Sequence, residues 1–237
     1  MESATLKIAN LYLRRVAALV LLAGVSAAAQ APPAPRAPQP KFMVLLDPAH
    51  GGDDAGASMK SGEQEKSLTL TFAARLRSLL AARGMQVLMT HDADLTLDGG
   101  QRAEIANRAQ PQACLSLHFS ESGSGVHLFV SNLNAVPATH FLPWKTAQAA
   151  WVNRSLALTG ALNSALQHAG LATTLGRTSL PGIDSMACPA VAVEISPGRP
   201  AGNGALKASL TDANYQSQVA EALAAALLVW RSEERQP

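Results

Sequence analysis

Four residues of this sequence have the types and settings that metal and acid–base chemistry needs: His50, Glu65, His118 and Glu194. His50 follows the apolar run Val44-Leu45-Leu46 and the stop Asp47-Pro48-Ala49, and precedes Gly51 and Gly52. That is the pattern of a buried strand delivering a histidine to a sharp turn. His118 stands near the end of a second apolar run, Ala113 to Ser120, and Glu65 opens a strongly periodic stretch. Two imidazoles and a carboxylate make the mixed nitrogen and oxygen set that holds catalytic zinc and leaves a fourth position for water. Glu194 is the single carboxylate in the apolar run Pro189 to Ile195, a costly placement unless it is paired or functional. A carboxylate beside a metal-activated water takes its proton and passes it to a leaving amine, which is the apparatus for hydrolysing an amide. Each residue alone has an ordinary reading: a hydrogen-bonded histidine at a strand end, or a helix-start glutamate favoured by the macrodipole. The chemistry requires that the fold bring them together.

The intervening pattern supplies the means. The Val44 to Leu46 strand leads to a helix from Glu65 with Leu68, Phe72, Leu76, Leu79 and Leu80 on one face and Gly84 as its stop. Gln86 to Thr90 reads as a strand, the acidic loop His91 to Asp98 follows, and a helix spans Gln101 to Arg108 before the Ala113 to Ser120 strand. Strand and helix in alternation with short connections imply right-handed crossovers and an α/β three-layer sandwich, a mainly parallel twisted sheet flanked by helices. In such a sheet ligands bind at the C-terminal strand ends, where both histidines fall. Gly125 to Val130 alternates as a strand towards a sheet edge, 148–168 and 212–231 read as helices, and Leu171 to Ser185 reads as irregular. The loop Ser131 to Lys145, with Pro137, Pro143 and Trp144, is either groove lining or an ordinary surface excursion.

Composition narrows the class. With 237 residues, 48% of them hydrophobic, the chain has enough apolar material for a core. A net charge of +2 with no long Lys/Arg run gives no sign of a nucleic-acid groove or of binding to an anionic membrane. Residues 1–29 are expected to be a signal peptide: Lys7, Arg14 and Arg15 precede the apolar run Val16 to Val25, and Ala27 and Ala29 fit a cleavage site after Ala29. No cysteine follows, which argues against a lipid anchor. Residues 30–40 are a proline-rich tether and residues 41–237 the catalytic domain, which places the mature protein in the periplasm or outside the cell. His91, His127, His140 and His168 lack paired ligand spacing and are expected to bind no metal. Arg177 is expected at the surface. Cys114 and Cys188 are expected to be buried free thiols: an oxidising compartment would permit a bridge, but a bridge needs Cα atoms within about 7 Å, and the sequence does not show whether their strands lie that close.

The motifs DPAHGGDDAGA, Glu65-Lys66, SLHFS at 116–120 and PAVAVEI at 189–195 together resemble the zinc-dependent N-acetylmuramoyl-L-alanine amidases of the amidase 3 type. Gln101 to Arg108 is similar to the arginine and alanine-asparagine segment of that family, and the resemblance spans about residues 42–230. It implies that His50, Glu65 and His118 bind zinc, that Glu194 is catalytic, and that the substrate is peptidoglycan, cut between N-acetylmuramic acid and L-alanine. The lysine after Glu65 favours it over Glu63 as the ligand. Three positions depart from the family pattern: Ala49 before the first histidine, Ser120 after the second, and Ile195-Ser196-Pro197-Gly198 after Glu194. A non-catalytic wall-binding module and a zinc peptidase with another substrate are the competing readings.

Overall fold

The computed structural model describes residues 42–137, 139, 141–198 and 208–234. The expected signal peptide and tether, and His140, lie outside the described residues.

Three of the strands alternate their side chains between two different environments, and that alternation sets the architecture. In β1 (Met43–Pro48), Val44 and Leu46 enter the larger core while Leu45 enters a smaller one. In β3 (Ala113–Phe119), Leu115, Leu117 and Phe119 go to the larger core and Cys114 to the smaller. In β6 (Ala190–Ile195), Val191, Val193 and Ile195 take the larger side, Ala190 and Ala192 the smaller. The sheet is therefore buried on both faces, which is why these strands read as nearly continuous apolar runs.

The order of the six strands is β2-β1-β3-β6-β4-β5, with β2 at Gln86–Met89, β4 at Val126–Ser131 and β5 at Thr173–Thr178. β2, β1, β3 and β6 are mutually parallel, whereas β4 runs antiparallel to β6 and carries β5 parallel to itself. The three-layer expectation holds, with two reversed strands. The larger face is covered by α1 (Glu65–Ala82), α3 (Val152–His168) and α5 (Ala213–Glu233). The smaller is covered by α2 (Gly99–Ala109) and the one-turn α4 (Pro181–Asp184). α1 buries Leu68, Phe72, Leu76 and Leu80 at helical spacing, each fully buried side chain of this size contributing about 1.5–3 kcal/mol.

Two expectations about elements are corrected. Residues 173–178 are not irregular but form β5, which takes the edge position expected for β4. Its sequence Thr-Thr-Leu-Gly-Arg-Thr lacks apolar alternation because no residue in it is fully buried, so periodicity carried no signal. The helix expected from residue 148 begins at Val152, after a 3-10 segment over Trp144–Ala150.

The expectation of free thiols is also overturned. Cys114 and Cys188 form a disulfide, with Cα atoms 6.4 Å apart across 74 residues of sequence. The β3–β6 register explains why: Cys114 pairs with Ala190, and its amide donates to the Pro189 carbonyl, so the residue two before β6 lies within reach. The bridge ties the inner strands together on the face whose apolar cluster is thin.

Candidate metal centre

His50 leaves the end of β1 with φ +65, a left-handed conformation that histidine adopts more readily than most residues but still at a cost of about 1 kcal/mol or more. The surroundings hold it there. Arg102 of α2 donates from Nη2 to the His50 carbonyl (2.8 Å), from Nη1 to the Pro48 carbonyl (2.7 Å) and to Asp47 Oδ1 (2.6 Å). Asp47 in turn accepts from Thr90 Oγ1 (2.7 Å) and Ser116 Oγ (3.0 Å), so the buried pair is enclosed by hydrogen bonds on both sides. On the solvent side Lys66 Nζ donates to the Gly52 carbonyl (2.7 Å) and contacts Asp94 (2.8 Å), whose Oδ1 accepts from the Gly52 amide (2.6 Å). Gly56 passes so close over the site that a Cβ there would lie 2.6 Å from His50 Cδ2 and 2.8 Å from Glu65 Cβ, with φ +66 besides. Only glycine closes this loop.

Glu65 is the first residue of α1 and is buried. Its Oε2 lies 3.0 Å from His50 Nε2 and accepts from the Ala57 amide (3.1 Å). Its Oε1 lies 3.2 Å from His118 Nδ1 and accepts from the Phe119 amide (3.2 Å). The two imidazoles stand edge to face with centroids 5.7 Å apart. One ligand-type atom from each of His50, Glu65 and His118 falls within 4.8 Å of the others. The strand ends and the intervening helix start thus converge as the sequence pattern requires.

The remaining ring nitrogens are also engaged: His50 Nδ1 lies 2.9 Å from Asp54 Oδ2, and His118 Nε2 lies 3.4 Å from Ser116 Oγ. Partners of this kind fix the ring orientation of metal-binding histidines and leave the opposite nitrogen free to coordinate. By its donor atoms and their mutual distances, the trio fits a divalent cation of the zinc type. The charges of the three side chains are coupled. Burial opposes ionisation of Glu65, but the hydrogen bonds from His118, His50 and the Ala57 amide outweigh it and hold the carboxyl well below the usual range. The bond to Glu65 pushes His50 up to about 8, against its own partial burial and with help from Asp54.

A cavity of about 370 Å³ opens over His50 and His118, bounded by Asp47, Arg102, Ser116 and Ala192 and by the α4 turn. Glu194 lies on the strand beside it: its register partner in β3 is His118, and the alternation that puts Ala190 and Ala192 on the smaller face puts Glu194 there too. Across the antiparallel pair its neighbour is His127, whose Nδ1 meets Thr174 Oγ1. Asp47, Asp54, Arg102 and Ser116 were not singled out from the sequence. Asp47 read as the stop of the first apolar run and Arg102 as part of a motif, and only the fold shows that one bonds the other. Arg177 is tied to the chain itself, donating to the carbonyls of Ser131 (3.1 Å) and Leu133 (2.8 Å). His91 is buried at the end of β2, beneath the Gly51 turn, and its pKa is lowered by burial and then by Arg102.

In comparison with known proteins, residues 44–229 match the family model Amidase_3, described as N-acetylmuramoyl-L-alanine amidase. The chain belongs to this amidase family. The AmiC amidase of Escherichia coli O6:H1 is 34% identical over 122 residues, which is 46% of this chain and 29% of that protein. The CwlM amidase of Bacillus licheniformis is 39% identical over 82 residues, or 34% of this chain and 32% of that protein. The matches thus span less than a third of the length of these curated relatives. Among solved structures, the Ami1 amidase of Mycobacterium smegmatis superposes with a TM-score of 0.65 at 21% identity, covering 81% of this chain and 97% of that one. The AmiC2 amidase of Nostoc punctiforme gives 0.60 at 25%, covering 81% and 97%. The family match runs through every residue of the trio and Glu194.

The three departures from the family pattern are accommodated. Ala49 is buried, and its carbonyl accepts from Thr69 Oγ1 of α1 (2.9 Å). Ser120 Oγ accepts from the Ser122 amide (3.1 Å). Ser196 is fully buried, donating to the Ser122 carbonyl (2.6 Å) while its own carbonyl accepts from Tyr215 of α5 (2.7 Å). The segment after Glu194 is therefore fixed to the core by its own bonds.

Proposed function

We propose that this chain hydrolyses the amide between the lactyl group of N-acetylmuramic acid and the L-alanine of the peptidoglycan stem peptide, with zinc held by His50, Glu65 and His118. The observation that carries the reading is the convergence of those three ligand atoms within 4.8 Å at the sheet edge of a family member. Two imidazole nitrogens and a carboxylate oxygen suit zinc better than the all-oxygen sets favoured by magnesium or calcium. When bound, such an ion polarises the amide carbonyl and lowers the pKa of water to about 7. Glu194, one strand from His118, takes the proton of the attacking water and delivers it to the nitrogen of L-alanine as the C–N bond breaks. Asp54 and Ser116 hold the imidazoles in place, while the Arg102–Asp47 pair anchors the turn that presents His50.

The reaction takes place outside the cytoplasmic membrane, in the periplasm or beyond the cell. The Cys114–Cys188 bridge supports this, since disulfides persist in oxidising compartments. Among the described residues no helix is long and apolar enough to cross a membrane.

Digestion of purified sacculi and of a soluble muramoyl-peptide tests the reading. The expected products are an intact lactyl carboxylate and a peptide with a free L-alanine amine; cleavage inside the peptide instead would make the chain a zinc peptidase. A chelator should abolish release and zinc restore it. His118→Ala should lose bound zinc by elemental analysis, and unchanged stoichiometry would refute the ligand assignment.

A further inference from the structure

A second cavity, of about 600 Å³, runs along one side of α2, lined by Asp98, Gly100, Gln101, Glu104, Arg108 and Trp144. Asp98 lines both this cavity and the one over the histidines, so the two adjoin at the start of the helix. Positions 100, 104 and 108 recur every fourth residue and lie along one helix face, so the groove runs about 12 Å along the helix axis at 1.5 Å per residue. Its volume lies within the roughly 300–1,000 Å³ of small-molecule sites.

The lining has a definite chemical character. Trp144 is 61% exposed, an unusual state for the largest apolar side chain, and its ring reaches the first turn of α2, where a Cβ on Gly100 would sit 3.8 Å from Cη2. The charged side chains of α2 that line the groove are already engaged. Asp98 and Gln101 cap each other's backbone at the helix start, and Glu104 pairs with Arg108 one turn apart. What remains on offer is an indole ring beside a row of polar atoms, with Lys145 Nζ 5.5 Å from the ring centroid. An exposed indole among hydrogen-bonding groups suits a ring with one apolar face and a periphery of hydroxyl and amide groups.

We propose that this groove is a glycan subsite, in which the C–H face of an N-acetylhexosamine ring of the peptidoglycan strand packs on Trp144 while the adjoining muramoyl residue presents its lactyl amide to the metal centre. The proposal rests on the amidase reading for its choice of sugar. It gives the loop 131–145 a role: its last turn supplies the platform on which the strand is threaded.

The test is calorimetric titration of the full chain, and of its Trp144→Ala and Trp144→Phe variants, with glycan strands stripped of peptide and separately with the released stem peptide. Trp144→Ala should weaken glycan binding about 10-fold, Trp144→Phe should retain most of it, and neither should alter peptide binding. On sacculi KM should rise with kcat unchanged. Equal glycan affinity in wild type and Trp144→Ala overturns the proposal, as does dependence on Trp144 for the stem peptide instead. The exposed ring makes misfolding an unsuitable explanation for either result. If wild type still releases L-alanine-terminated peptides while the alanine variant binds glycan normally, the groove fails and the reaction stands. If glycan binding depends on Trp144 but no hydrolysis occurs, the reverse holds.

Discussion

The two faces of the sheet are built on opposite principles. One is thick and apolar: α1, α3 and α5 press leucines, Phe72 and Trp230 against Val44, Leu46, Leu115, Leu117, Val191 and Val193, nearly all fully buried. The other replaces that bulk with small residues, Ala103, Ala106, Ala190 and Ala192, around a disulfide, and then with Asp47, Ser116, His118 and Glu194 as the strands approach their C-terminal ends. Small side chains on the second face leave room for a cavity and let polar groups sit at bonding distance. The thick face therefore supplies most of the stability, and the thin one holds reactive groups in an arrangement that would be costly without it. The difference teaches that a substitution in the thick face should move the stability, and one among the polar strand ends of the thin face the chemistry, with little crossing over.

The sharpest contrast is Glu194→Gln. It keeps the shape and removes the proton acceptor, so kcat on a soluble muramoyl-peptide should fall about 10²–10⁴-fold while the thermal midpoint stays unchanged. A large loss of stability would mean that the carboxylate is structural and that the division between faces is false. Next in size is Leu223→Ala on α5, where the side chain is fully buried against the sheet. It should cost about 2–5 kcal/mol of unfolding free energy by denaturant titration, with kcat of the folded fraction preserved. A third variant, Cys114→Ala with Cys188→Ala, probes the thin face directly. Opening the 74-residue loop should cost about 2–4 kcal/mol and leave zinc stoichiometry intact, because the ligands are held by strand register and by Arg102 instead. Loss of zinc in that variant would show that the bridge positions the site as well.

How much of this could be read from the chain depended on the physical range of each signal. β1, β3 and β6 were legible because burial on both faces leaves an apolar run, and α1 because a single buried stripe imposes a 3.6-residue period. His50, Glu65 and His118 were legible because parallel strands deliver their ends to one edge, so topology alone implied the meeting. The disulfide was not, since its geometry depends on which strand lies beside β3, and β6 follows β3 only after β4, α3 and β5 have intervened in sequence. β5 was invisible because an exposed edge strand has little to bury, and the Arg102–Asp47 pair because a contact 55 residues apart leaves no local pattern. Sequence thus disclosed what local periodicity and strand direction determine, while lateral neighbours had to come from the fold.

The smallest expected effect concerns the junction of the two faces, where Glu65 of α1 reaches between the histidines. In the metal-stripped protein His50 has its pKa raised from 6.5 to about 8, chiefly by its bond to Glu65. A group protonated more readily when folded stabilises the fold in its charged form, so this contribution is complete below about pH 6.5 and is lost as pH rises through about 8. Glu65, held down by the same bonds against its burial, contributes in the opposite sense, its share being lost only as pH falls below the usual carboxylate range. The stripped protein should therefore lose on the order of 1–2 kcal/mol between pH 6.5 and 8.5, measured by denaturant titration in chelator. Zinc competes with the proton for the same imidazole nitrogen, so the loaded protein should show no such decline over that interval. An identical slope with and without zinc would mean that His50 loses its proton over the same interval in both, so that zinc does not take its nitrogen, and the trio would then be an ion-pair cluster belonging to the structural face.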